Sequence, residues 1–179
     1  MKRLKTGEII FKDYPDFKPN LTPYDIFKLG SFGGTYWRPI YSQVTGKYYK
    51  NKHTKYPWWN GISDEMMTQS IYNKHINLYG VKTGSTLEEW EEKNWIINKH
   101  PYGWIQWYCD FYMGNRHADD ARQIDRWNKI AGEKGRFRRM LINKIHSKKT
   151  TYDDVTISPK IRQTLQHWGY RLNKNDLNR

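Results

Sequence analysis

The sequence predicts a mainly α-helical protein: a single compact domain of about six helices, with a small β-hairpin in the N-terminal third. Three observations carry this expectation. Trp104, Trp107, Tyr108, Phe111 and Tyr112 step by three and four, which lines them along one helix face. Ile105, Cys109 and Met113 add a second apolar row, and a helix apolar nearly all round is buried on most sides. Helix starts and stops recur along the chain: Thr22-Pro23, Ser85-Thr86-Leu87-Glu88 and Ser158-Pro159 as starts, and Gly30, Gly80, Gly114 and Gly169 as stops. Finally, 179 residues without an internal repeat, a heptad run or a long linker is about one domain's length.

Taken in order, residues 1–20 are basic and aromatic, broken by Pro15 and Pro19, and are expected as an extended arm laid on the domain or a partly mobile tail. Residues 21–170 are expected as the globular domain. The first helix is expected from Thr22 to Leu29, with Asp25 in its first turn. Phe32-Gly33-Gly34-Thr35 lacks the lysine of a phosphate-binding loop and is expected as a tight turn. Thr35 to Ser42 and Lys47 to Lys50, with Thr45-Gly46 between them, predict the hairpin. A helix is expected from Ser63 or Asp64 to about Tyr79, with Met67, Ile71, His75 and Leu78 on its apolar side. A capping box at Ser85 and Glu88 opens a short helix whose acidic run, Glu88 to Glu92, is expected to lie in solvent. The greasy helix at 104–113 follows. Next comes a charged helix from Asp119 to Ala131, with carboxylates at its positive end. A helix from Arg136 to His146 follows, and the last runs from Ser158 to Trp168 with Ile161, Leu165 and Trp168 buried. Residues 171–179 are expected as a polar tail.

Composition narrows the function classes. Hydrophobic residues make up 37% of the chain and aromatic ones 16%, so the core is expected to rest on a few large side chains. No apolar run is long enough to span a membrane, and none follows the basic Met1-Lys2-Arg3-Leu4-Lys5; neither a membrane partner nor a secretory leader is expected. The one cysteine, Cys109, excludes an internal disulfide and lies in the most apolar stretch. An inert buried thiol in a reducing intracellular compartment (cytoplasm, nucleus or virion) is the expectation. The net charge is +13, which points to polyanionic partners. A composition rich in Lys, Asn, Ile and Tyr, such as AT-rich coding sequence favours, accounts for part of it.

The strongest anion-binding signal is the segment Lys134–Lys149, with seven Lys and Arg and no acid. Helical spacing gives a core stripe of Phe137, Met140, Leu141 and Ile145, and puts Arg136, Arg139, Asn143 and His146 on the other side. Phosphate contacts are assigned to Arg136, Arg138, Arg139, Lys144, Lys148 and Lys149, with Arg122, Arg126 and Arg162 beside them; the alternative is a merely solvated basic face. Tyr36, Trp37 and Trp58 are candidates for base stacking, with closure of one end of the core as the equal alternative for the aromatics of residues 36–49. Tyr41, Tyr48 and Tyr49 belong to the same aromatic-basic stretch.

Signals for chemistry are few. The six histidines are scattered, with none paired at metal-ligand spacing. No nucleophile elbow, dinucleotide fingerprint or Walker signature is present, so no cofactor and no metal is expected. Asp119 and Asp120, near Arg116, His117 and Arg122, form the one constellation that could hold Mg2+ for phosphoryl transfer. Its alternative is helix capping with ion pairs.

Several stretches together resemble a known family: Phe32-Gly33-Gly34-Thr35-Tyr36-Trp37-Arg38-Pro39-Ile40, Tyr79-Gly80-Val81-Lys82, Gly103-Trp104-Ile105-Gln106-Trp107-Tyr108-Cys109, Asp119-Asp120-Ala121-Arg122-Gln123-Ile124 and Ser158-Pro159-Lys160-Ile161-Arg162-Gln163-Thr164-Leu165. Over about residues 21–170 the chain is similar to an uncharacterised family of large DNA viruses and some fungi and algae. The resemblance implies no substrate and no catalytic residue. Where that family has another basic residue, this chain has Asp110 and Asn115. The first reading is therefore a non-enzymatic protein that binds nucleic acid, DNA ahead of RNA. The second is a structural subunit docked on acidic protein or packaged DNA in a larger assembly or virion. The third is a metal-dependent enzyme on nucleic acid using Asp119 and Asp120.

Overall fold

The computed structural model describes residues 1–178 and is mainly helical. Its helices are α1 (Pro23–Lys28), α2 (Leu87–Glu92), α3 (Trp104–Tyr112), α4 (Asp120–Ile130), α5 (Arg136–Ser147) and α6 (Pro159–His167). Two antiparallel hairpins pair β1 (Lys2–Arg3) with β2 (Ile9–Ile10), and β3 (Ile40–Ser42) with β4 (Lys47–Tyr49). The second is the hairpin expected at Thr45-Gly46, where Gly46 takes φ +65 as a glycine tolerates. The chain divides into two compact units, residues 1–22 with 117–179, and residues 23–116.

In the first unit the N-terminal segment is part of the fold and not an arm laid upon it. Ile9, Phe11 and Phe17 are buried, and Phe17 meets Trp127 of α4 edge-on at 5.2 Å. Three large apolar side chains left in water would forgo roughly 1.5–3 kcal/mol each. The Asn20 side chain donates to Arg171 O at 2.7 Å and accepts from Arg171 N at 2.8 Å, which ties the segment to the C-terminal end. The expected polar tail is likewise built in. Its residues Lys174–Asn178 form a 3-10 turn that carries Asp176 inward at 2% exposure; Arg179 lies outside the described residues. Asp176 accepts from Arg138 Nε at 3.0 Å and Nη2 at 2.5 Å, from Tyr170 Oη at 2.9 Å and from Asn173 N at 2.8 Å. α6 begins at Pro159 as expected, but Ser158 is in the left-handed region and makes no side-chain cap. Its buried side also differs from the apolar one predicted, because Arg162, Gln163 and Gln166 are buried with Leu165.

The second unit is an aromatic core around α3. Ile105, Trp107, Tyr108, Cys109 and Phe111 are all buried, and Phe27 and Trp37 are fully enclosed. The first turn of a helix leaves N–H groups without intrahelical partners, and Gly103 before α3 has no side chain to offer them. Tyr36 supplies the acceptor: its hydroxyl takes hydrogen bonds from Ile105 N at 3.0 Å and Gln106 N at 3.1 Å, and donates to Tyr102 O. α2 starts one residue later than its sequence signature implied, since the reciprocal cap joins Thr86 and Glu89 rather than Ser85 and Glu88.

The helix expected over residues 64–79 is absent; only 3-10 turns at Asp64–Met66 and Lys74–Ile76 form there. The backbone of this segment bonds elsewhere. Gln69 N donates to Gly34 O at 2.8 Å, Asn73 N to Gly33 O at 2.9 Å and Leu78 N to Leu29 O at 3.1 Å, while Met67 O accepts from Trp37 N at 2.7 Å. Glycine makes this approach possible. A Cβ on Gly33 would lie 2.6 Å from the Tyr72 ring, and one on Gly34 only 2.1 Å from Glu65 O. The paired glycines thus serve a backbone contact, and Ile71, read as a core position, is 80% exposed.

Removing one member of a buried ion pair strands the other charge. Asp176→Ala is therefore expected to lower stability by about 3–5 kcal/mol, measured as a shift in the urea midpoint. Arg138→Met with Asp176→Leu should recover most of that loss.

Candidate nucleic-acid interface

α5 divides its basic residues between two sides. Leu141, Ile145 and Arg138 face inward and are buried. Arg136, Arg139, Asn143, Lys144, His146 and Ser147 are exposed, and Lys148 and Lys149 follow the last turn into solvent. A tight turn sets where the helix starts, because a Cβ on Gly135 would meet the Ile130–Ala131 backbone at 2.6–2.7 Å. Gly135 offers no side-chain cap, and no acid stands in the first turn. Arg136, Arg139, Lys144, Lys148 and Lys149 make no ion pair among the described residues. Lys144 and Lys148 are one turn apart, a like-charge spacing that weakens an isolated helix.

The other predicted phosphate contacts have internal work. Arg138 is 3% exposed, paired with Asp176 and placed over the Tyr170 ring at 4.2 Å. A signal for this lay in the spacing, since 138, 141 and 145 step by three and four along the buried stripe. Arg162 is buried and donates to Ile157 O at 2.9 Å and Tyr152 O at 2.8 Å. Arg122 makes a two-point ion pair with Asp119, Nε to Oδ1 at 2.5 Å and Nη2 to Oδ2 at 2.9 Å. Arg126 donates to Gln123 Oε1 at 3.1 Å and lies over the Trp168 ring at 5.4 Å. Burial, and then the Arg122 charge, pull its pKa down to about 10.

The predicted stacking residues also need correction. Tyr36 and Trp37 are core residues, so neither presents a face to a base; Tyr36 is held by its capping role. Trp58 is half-buried, stacked on Tyr56 at 5.2 Å and edge-on to Tyr112 at 5.6 Å. The aromatics of the same stretch that do reach solvent are Tyr41 and Tyr48.

Asp119 and Asp120 are arranged as locks on the start of α4. Asp119 Oδ2 accepts from Gln123 Nε2 at 2.9 Å in addition to Arg122, and Asp120 Oδ2 accepts from His117 N at 3.0 Å. Both carboxylates are buried. Among the described residues no three His, Cys, Asp or Glu side chains gather as a metal-ligand group.

A polar node that the sequence reading missed lies within the aromatic unit. Asp110, buried on α3, accepts from Lys55 Nζ at 2.7 Å and Tyr56 Oη at 3.1 Å, and His100 Nε2 lies 3.4 Å from its other oxygen. Burial alone would raise the carboxyl's pKa. Hydrogen bonds from His100, Lys55 and Tyr56, with the Lys55 charge, outweigh burial and hold it below the usual range. The one available signal was a lone carboxylate inside an apolar helix, which must find partners when buried. The adjacent Cys109 thiol is pushed up by burial and then by Asp110, which makes it a packing group rather than a nucleophile.

The depressed Asp110 pKa gives a signed pH dependence. Its stabilisation is present above the unfolded carboxylate value, about 3.9, and is lost as pH falls through the lower folded value. Urea midpoints measured from pH 7 down to pH 3 should fall in wild type. In Asp110→Asn the midpoint should be lower at pH 7 and the acid-side decline shallower. No family model matches the chain, and no curated protein or solved structure matches it either.

Proposed function

We propose that the protein binds nucleic acid, DNA ahead of RNA, through the outward side of α5, and that it does so without catalysing a reaction. One observation carries the reading: Arg136, Arg139, Lys144, Lys148 and Lys149 reach solvent with no carboxylate partner among the described residues, whereas Arg138 and Arg122 are paired. Cations held together without counter-ions favour a polyanion, whose condensed counterions are released on binding. Arginine adds two-point hydrogen bonding to phosphate. A helix with its side chains is about 10–12 Å across, which suits the major groove of B-form DNA, about 12 Å wide. The major groove of A-form RNA is too narrow and deep for side chains to read, hence the order of preference.

Affinity for duplex DNA should fall linearly with salt on a log–log scale. The double variant Arg136→Ala/Arg139→Ala should reduce that slope by about two. Lys129→Ala should leave the slope unchanged, because Lys129 already pairs with Asp125 at 2.6 Å. Fluorescence anisotropy across a salt series reads both, and absence of binding to duplex or single strands at low salt removes the proposal.

A further inference from the structure

In the second unit, β3 and β4 bring Tyr41 and Tyr48 directly opposite each other. Strand alternation puts neighbouring residues on opposite sides. The inward side carries Ile40 and Ser42, both buried, and the Ser42 hydroxyl donates to Glu91 Oε1 at 2.9 Å. The outward side carries the two tyrosines, their ring centroids 4.8 Å apart. Tyr41 is 42% exposed and Tyr48 83%. A ring as open as Tyr48 contributes little to a core, and with the partly covered Tyr41 beside it forms an aromatic surface facing water.

The hairpin's own charge is of one sign. Residues 26–63 contain no Asp or Glu, and Lys47, Lys50 and Lys52 follow one another through β4 and the turn beyond it. Lys50, two residues past Tyr48, falls on the tyrosine side. Lys47 pairs with Ser42 and so falls on the other side, and Lys52 Nζ lies 4.9 Å from the centre of the Tyr49 ring. Glu91 meets the hairpin on its other, buried side.

Exposed rings with Lys50 beside them combine a stacking surface with attraction for phosphate, the two elements of sequence-tolerant recognition of unpaired bases. We infer that the outer face of the β3–β4 hairpin is a stacking platform for the bases of single-stranded nucleic acid. Duplex DNA cannot use it, because its bases are stacked on one another and expose only their edges. The inference rests on the nucleic-acid reading for its class of ligand, but it uses residues of the other unit and assigns them a distinct strand preference.

The test is fluorescence anisotropy with the full chain and three probes: single-stranded oligothymidylate, an abasic oligomer of the same length, and a duplex. Tyr48→Ala is expected to weaken oligothymidylate binding about tenfold and to leave abasic and duplex binding unchanged. Tyr48→Phe keeps the ring and should retain wild-type affinity. Equal loss on the abasic probe, or no loss with Tyr41→Ala/Tyr48→Ala, overturns the platform. If Arg136→Ala/Arg139→Ala still weakens binding in that case, the α5 reading survives the failure. Absence of binding to all three probes overturns both.

Discussion

The ion pair between Arg138 and Asp176 governs the first unit. Both groups are nearly excluded from solvent, so neither can lose the other without leaving a buried charge exposed to a poor dielectric. The pair holds Arg138 on the inward side of α5. With Arg138, Leu141 and Ile145 turned inward, helical geometry has no choice but to send Arg136, Arg139 and Lys144 outward. It also recruits the C-terminal segment, since Asp176 is placed by the 3-10 turn at Lys174–Asn178. A stretch that reads as a polar tail thereby supplies a buried partner for α5.

The second unit solves a related problem with aromatic hydroxyls. Large flat rings fill volume efficiently, but buried backbone groups still need partners. Tyr36 satisfies the start of α3, Tyr102 Oη donates to Arg38 O at 2.9 Å and lies 3.2 Å from Tyr49 O, and Tyr56 reaches Asp110. Burial raises the Tyr36 and Tyr56 pKa values and pushes Tyr102 up to about 12, so all three remain neutral hydrogen-bonding groups at physiological pH. Tyrosines engaged in this way cannot also serve a ligand, which is why the outward pair on the β3–β4 hairpin stands apart from its sequence neighbours.

Much of the architecture was legible in the sequence. The apolar spacing of α3, the glycine after it, Pro159 at the head of α6 and the Thr45-Gly46 turn each act over a few residues, and local rules capture them. The misses share a cause at longer range. Residues 64–79 have helical apolar spacing, yet their N–H groups are taken by carbonyls of the Gly33-Gly34 turn, a contact that no local pattern announces. Ile9, Phe11 and Phe17 were part of a basic segment whose burial depends on residues more than a hundred positions away. At the candidate site, the basic run itself was plain, but the division of its members was not. Arg138 differs from Arg136 and Arg139 only in where it falls around the helix, and its partner lies 38 positions further on. Asp119 and Asp120, read from the sequence as residues at a helix start, do stand there, at the head of α4, where each accepts a local hydrogen bond.

Lysine reactivity gives the most direct view of whether α5 presents its cations to a polyanion. Acetylation of the protein with and without duplex DNA at low salt, read residue by residue by mass spectrometry, should show Lys144, Lys148 and Lys149 protected in the complex and Lys129 and Lys174 labelled equally in both samples. Equal labelling of Lys144, Lys148 and Lys149 with and without bound DNA, in a sample where binding is otherwise demonstrated, would contradict the assignment of that face.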